Sequence, residues 1–203
     1  SLVNDAVGLD NPGSTSFMMS GGKNKTTDRS SVRMNYELND HEFELAQASE
    51  GYVSRLCSSL DDLLDPLRIH LEPNLSDALV IGVIGTASKR IEAAVKRCRF
   101  TENGAYMLDS DVRYILHYTK ERIASAEQSS NIALHKACTP LARLSQIAAL
   151  MNLEDLDGVL DLISDYKRKG TWDLKIEDAR AFLSLRVDFE GRKVNELLRS
   201  DDE

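Results

Sequence analysis

VSRLCSSLDDLLDPL, residues 53–67, places apolar side chains at Val53, Leu56, Leu60, Leu63 and Leu67. Alternating steps of three and four put all five on one face of an α-helix, whereas a strand would alternate every second residue. Asn39, upstream, supplies a capping amide for a helical start. Pro66 lies inside the apolar run and predicts a kink or a split, because proline lacks the amide hydrogen and crowds the preceding turn. Glu72-Pro73-Asn74 predicts the end of this first long element.

Downstream, helical spacing resumes over residues 75–98, with Leu75, Leu79, Gly82, Ile91, Val95 and Cys98 inward. Gly82 and Gly85 predict the close approach of a neighbouring backbone. TENGA, residues 101–105, reads as a turn, after which Asp109 or Ser110 caps a third helix reaching about Cys138. Val112, Ile115, Ile123 and Ile132 are its expected buried positions. The three helices predict an antiparallel bundle. Thr139-Pro140 reads as a fresh helix start, a hydroxyl cap followed by proline at the first helical position. Beyond it the periodic stretches shorten to 141–151, 155–166, 177–186 and 194–199, with KRKGT, residues 167–171, as the longest loop. Residues 1–35, centred on GSTSFMMSGGKNKTTDRSS, have no apolar period and read as a flexible Gly/Ser-rich linker. The expected organisation is all-α: linker 1–35, long-helix bundle 36–138, and compact short-helix domain 139–203.

Composition agrees. The 203 residues are 42% hydrophobic but only 6% aromatic, so the core is aliphatic and suits packed helices. A net charge of −8 and a pI near 5.1 set a field that repels phosphate backbones, which makes nucleic acid a poor partner. ALVIGVI, residues 78–84, is the longest strongly apolar run and far too short for a bilayer, which needs about 20 residues. Cys57, Cys98 and Cys138 form no CxxC pair and read as reduced core thiols on the cytosolic side of any membrane. The sequons at Asn24 and Asn74 read as chance. Residues 1–10 lack a basic start and an apolar core, so no signal peptide is expected, and a chain opening on Ser1 reads as a fragment.

Few residues stand in a pattern that carries chemistry. His41, His70, His117 and His135 stand apart from one another and from cysteine, so no metal site is expected. Gly82 and Gly85 precede TASKR but sit in a helical run instead of a strand-to-helix phosphate loop. Asp155, Asp157 and Asp161 lack calcium-loop spacing and read as an acidic helix start. No serine, cysteine or lysine occupies a nucleophile motif. The chain is therefore expected to be no enzyme, with no catalytic residue, cofactor, metal or small-molecule substrate. Lys89, Arg90, Lys96, Arg97 and Arg99 form two basic pairs seven apart on one helical side. They read as a solvated face or as a partner-facing stripe for an acidic SNARE helix or an anionic membrane. LARLSQIAALMNLEDLDGVLDLI, residues 141–163, also reads like half of a winged helix. Residues 139–203 carry ten Lys or Arg against fourteen Asp or Glu, which disfavours DNA. A winged-helix-like protein-interaction or DNA-binding module is the alternative reading.

The same stretch, followed by TWDL at 171–174 and ARAFLSLRVDF at 179–189, resembles the C-terminal region of the fourth-subunit family of the conserved oligomeric Golgi complex. That family has an ARLSQ helix, an NLE turn, a leucine-rich helix, a TW loop and a final helix ending in LR-hydrophobic-DF. A weaker likeness runs through MLDSDVRYILHYT, residues 107–119, and YELNDHEFELAQASEGYV, residues 36–53. It covers about residues 36–199 and departs from the pattern at Pro140. The resemblance implies a helical-rod vesicle tether of the exocyst-like kind, acting in retrograde intra-Golgi transport and Golgi organisation. It implies a peripheral protein on the cytosolic face of Golgi membranes, partnered by other subunits of the complex and by SNARE proteins. Arg143 occupies the ARLSQ arginine, and the implied arrangement pairs it with Asp178, or second with Glu177, in a structural salt bridge. An exposed Arg143 is the alternative, and such surface pairs contribute only about 0–1 kcal/mol.

Overall fold

The computed structural model describes residues 34–49, 51–124 and 131–198. Among them are eight helices: α1 Asp40–Ala48, α2 Tyr52–Arg68, α3 Pro73–Val95, α4 Glu102–Ala124, α5 Asn131–Met151, α6 Gly158–Arg168, α7 Ile176–Leu183 and α8 Gly191–Leu197. The all-α expectation holds. The expected linker, residues 1–35, lies almost wholly outside the described residues.

Asn39 does cap, through a reciprocal box: its Oδ1 accepts the Glu42 N–H while Glu42 Oε2 accepts the Asn39 N–H, both at 2.9 Å. The helix it starts is short, and α2 begins separately after Gly51. Pro66 does not split α2, because it falls in the last turn and the helix continues to Arg68. The buried face of α2 is Val53, Leu56, Cys57, Leu60 and Leu64, while Leu63 and Leu67 are 41% and 43% exposed. Near its end the inward stripe thus runs one residue later than the spacing predicts.

Pro73 does not end an element. It opens α3, where its missing amide hydrogen costs nothing and its fixed φ suits a first turn. Within α3 the inward positions are Val80, Ile84, Ala87, Ile91 and Val95, and Leu75 is exposed. Gly82 faces open space, whereas a Cβ on Gly85 would lie 3.6 Å from the Pro140 ring, an ordinary contact distance.

TENGA is not a turn. Thr101 starts α4 by accepting the Gly104 N–H on Oγ1 at 3.3 Å and the Ala105 N–H on its carbonyl at 2.9 Å, ahead of the expected cap at Asp109 or Ser110. Gly104 is there for space: a Cβ on it would lie 1.6 Å from the Tyr36 carbonyl oxygen. Val112, Ile115 and Ile123 are buried as their spacing predicts, and the Ile132 side chain lies outside the described ones. The expected single helix to Cys138 is corrected to α4, ending at Ala124, and a new helix α5.

The helix start at Thr139-Pro140 is likewise corrected, since α5 runs straight through both residues. The Pro140 ring faces the Gly85 turn of α3, and the Pro140 carbonyl accepts a hydrogen bond from Ser88 Oγ at 2.7 Å. Downstream, α6 stops at a left-handed Gly170 (φ 66°), which leaves Gly170 and Thr171 donating back to Lys167 and Tyr166.

Three extended segments meet at Phe100. Thr101 N–H donates to the Tyr36 carbonyl, Phe100 N–H to Leu185, and Val187 N–H to Phe100, at 2.8–3.1 Å. The resulting bridges from Phe100 to Tyr36 and to Arg186 are both parallel, and the Tyr36 and Phe100 rings stack at 4.8 Å. One hydrophobic cluster extends from Tyr36 to Leu198, and α5 runs unbroken through residues 138–139.

Candidate functional site

The polar group best fixed by the fold is an ion cluster where α3, α5 and α7 converge. Arg143 rises from the edge of α5, whose neighbours Leu144 and Ile147 are buried. Its Nε and Nη2 reach Glu92 Oε2 and Oε1 at 3.0 and 3.1 Å, a two-pronged match of guanidinium to carboxylate. Nη2 also reaches Asp178 Oδ2 at 2.9 Å, and Nη1 donates to the Asp173 carbonyl at 3.2 Å. Lys96 closes the ring, 3.2 Å from Glu92 and 3.6 Å from Asp178, with its ammonium 5.2 Å from the Phe182 ring centre. Two cations face two carboxylates, and the cluster is neutral.

Its electrostatics follow. Burial pushes the Glu92 carboxyl up, but hydrogen bonds from Arg143 and Lys96 outweigh this and hold it below the usual range. The Arg143 hydrogen bond holds Asp178 down despite partial burial, and Glu92 in turn raises the Arg143 guanidinium above its ordinary value. Glu177 is exposed. Glu92 escapes a reading of the sequence because it meets Arg143 across 51 residues, and only the register of α3 on α5 brings them together.

The basic stripe is dispersed. Lys89 and Arg90 lie within α3, the first exposed and the second half-buried, whereas Lys96 belongs to the ion cluster. α3 ends at Val95, so the exposed Arg97 and Arg99 stand in the link to α4 and share no helical face with the first pair.

Arg186 is a buried structural anchor that sequence reasoning misses. Its side chain is fully buried, its Nη1 donates to the carbonyls of Met151 and, at 3.0 Å, Leu153, and its Nε pairs with Asp188 Oδ1 at 2.8 Å. The guanidinium thereby satisfies the free carbonyls at the end of α5 and opposes that helix's negative pole. It also lies 4.2 Å from the centre of the Phe189 ring. The only signal in the sequence is an acid two residues after the arginine.

A third polar group lies between α1, α2 and α4. The Tyr36 hydroxyl is 2.8 Å from Asp111 Oδ2 and 3.0 Å from the Tyr52 hydroxyl. Burial pushes the Asp111 carboxyl up to about 7, the Tyr36 hydrogen bond offsetting only part of the effect. Asp111 lines a cavity of about 580 Å³ with Gln47, Ser54, Tyr106, Ser110 and Tyr114. Farther along α2 and α4, Asp61 accepts the Tyr118 hydroxyl at 2.6 Å and pairs with Arg122, which also holds Asp65 at 2.9 Å. Cys57 beside them is buried and pushed up to about 12, mainly by burial, which makes it a poor nucleophile at neutral pH.

Residues 24–181 match the family described as conserved oligomeric Golgi complex subunit 4, C-terminal. The chain belongs to this family. It is 30% identical over 160 residues to the conserved oligomeric Golgi complex subunit 4 of Drosophila melanogaster, covering 77% of this chain and 19% of that protein. Identity is 26% over 161 residues to the subunit 4 of Arabidopsis thaliana, covering 79% and 20%, and 23% over 164 residues to that of Homo sapiens, covering 81% and 20%. The chain thus spans about a fifth of the length of these relatives.

The stretch matched to the Golgi-complex family includes all four members of the ion cluster and the Tyr36–Asp111 group, and it stops short of Arg186 and α8. Among the described residues no three His, Cys, Asp or Glu side chains are grouped to hold a metal, and no helix is long and apolar enough to cross a membrane.

Proposed function

We propose that this chain is the C-terminal part of a Golgi tethering-complex subunit that acts in retrograde intra-Golgi vesicle transport and Golgi organisation through protein contacts, without catalysis. The family match over residues 24–181 is the observation that carries the reading. The site chemistry supports it, because the charged side chains of the ion cluster fasten helices to one another. On this reading the protein is peripheral to the cytosolic face of Golgi membranes, and its partners are other subunits of the complex and SNARE proteins. The ion cluster around Arg143 and Asp178 is structural and keeps the contact surface in shape. Lys89, Arg97 and Arg99, exposed and outside that cluster, are the members of the basic stripe left to face a partner.

Affinity purification of the tagged full-length protein tests the reading. Co-purification of the other Golgi-complex subunits is expected. Enrichment of chromatin proteins, with DNA binding that weakens steeply with salt, would instead establish the winged-helix alternative. Charge reversal at Arg97 and Arg99 together is expected to reduce subunit recovery without lowering the melting temperature. Reversing Lys96 is unsuitable for this purpose, because it breaks the ion cluster.

A further inference from the structure

We infer that the cavity between α1, α2 and α4 receives the cationic side chain of a lysine or arginine carried by an extended segment of another protein. The inference deepens the reading that the chain works through protein contacts, and rests on it. Three observations carry it. The first is an uncompensated carboxylate. Asp111 lines the cavity, its one described partner is the Tyr36 hydroxyl, and among the described residues neither an ion pair to Asp111 nor a cationic residue in the cavity wall is present. Of the two acidic residues that line the adjoining recess, Asp61 is paired with Arg122, and Glu121 is exposed to water with His117 Nδ1 3.4 Å away. A carboxylate taken partly out of water without a counter-charge gains most from a cation that arrives from outside.

The second observation is the wall. Tyr106 and Tyr114 are each 52% exposed, two turns apart on α4, with Ser110 and Asp111 between them. Half-exposed phenol faces beside a carboxylate make an aromatic-acidic recess, and π faces attract guanidinium and ammonium groups. Gln47 and Ser54 add neutral hydrogen-bonding partners.

The third observation selects the source of the cation. A second recess of about 460 Å³, lined by Ser58, Asp61, Tyr118, Glu121 and Arg122, adjoins the first and shares Ser54 and Tyr114 with it; Arg122, the one cation in its wall, is paired with Asp61 and Asp65. From Tyr106 to Glu121 the joint groove runs about 22 Å along α4 at 1.5 Å per residue, the length of roughly seven extended residues. A free amine would fill one recess and leave the groove empty. A peptide segment fits both.

The test uses the 203-residue chain and a seven-residue peptide with one central arginine between glycines and serines. Nuclear magnetic resonance follows the Tyr106 and Tyr114 rings and the Asp111 carboxyl carbon. Saturable shifts at these three positions are expected, with a fall in the Asp111 titration midpoint. The neutral citrulline peptide and methylguanidinium alone should each bind at least about tenfold more weakly, a difference of about 1.4 kcal/mol. Asp111→Asn should lose a similar factor, and Tyr114→Ala several-fold, while both variants keep the wild-type fold by circular dichroism. Equal binding of the citrulline peptide, methylguanidinium binding as tightly as the peptide, shifts confined to other surfaces, or unaltered binding by Asp111→Asn would each overturn the proposal. The proposed function fails separately. Discrimination of the arginine peptide without co-purifying Golgi-complex subunits leaves the site and removes the function. Full subunit recovery with no peptide discrimination does the reverse.

Discussion

Arg143 and Asp111 are opposite kinds of charged residue, and their variants should show it. Arg143→Ala leaves the Glu92 and Asp178 carboxylates facing each other with Lys96 alone between them. Removing one partner of a fully buried pair costs about 3–5 kcal/mol, but Arg143 is 25% exposed, so solvent screening reduces the expected loss to roughly 2 kcal/mol. Both carboxyls are held below their ordinary values in the fold. Their contribution is therefore present above the unfolded-state range and is lost as pH falls through the lowered folded values. Melting curves should show the gap between wild type and Arg143→Ala steady from pH 5 to 8, as a rough range, and closing in stronger acid. Asp111 carries the reverse sign. Its folded value of about 7 stands above the ordinary 3.8, so the fold binds a proton that the unfolded chain releases, and stability declines as pH rises between them. Asp111→Asn keeps an acceptor for Tyr36 and removes the charge. It should match wild type in acid and melt higher at pH 8; a lower melting temperature there would refute this account. At this scale the resemblance made Arg143 and Asp178 legible as a pair. Glu92 and Arg186 were not, because the one depends on how two helices register and the other on which carbonyls a helix end leaves free.

Elements were legible where the apolar period was long and illegible where one residue carried two meanings. The cores of α2 and α3 and the last three short helices follow from spacing. TENGA misled because glycine serves both turns and close approaches, and in Gly104 the close approach decides. Thr139-Pro140 misled because a dipeptide that often starts a helix here lies inside one, packed against α3. Two of the helical glycines, Gly82 and Gly104, give a paired prediction. Gly82→Ala meets nothing within 4 Å and should stabilise by about 1 kcal/mol through helix propensity. Gly104→Ala gains the same propensity but drives a methyl into the Tyr36 carbonyl, and overpacking of this kind costs about 1–3 kcal/mol. Denaturant titration should therefore move the two midpoints in opposite directions, and a stabilised Gly104→Ala would mean that the Tyr36 segment is not held where the structure has it.

For the whole molecule, the helical class and the family were legible from pattern and order, whereas the unity of the core was not. A shift from long to short helices suggests two parts, yet α5 belongs to both and one apolar cluster joins them. Unfolding is thus expected to be a single transition. Trp172, the chain's one tryptophan, reports on the C-terminal part, while far-ultraviolet circular dichroism is dominated by the long helices before it. Their denaturation midpoints should coincide. Separate midpoints would restore a division near residue 139.

The meeting of three segments at Phe100 also has a mechanical meaning. A tug applied between Tyr36 and Arg186 is transmitted through Phe100 by three backbone hydrogen bonds, so the load path bypasses the long helices. Behind this clasp lie two coiled reserves of chain, 64 residues from Tyr36 to Phe100 and 86 from there to Arg186. Under pulling in an optical trap, extension should stay small until the clasp gives way and then jump as the stored length pays out; gradual lengthening from the lowest forces would mean that the helices bear the load directly.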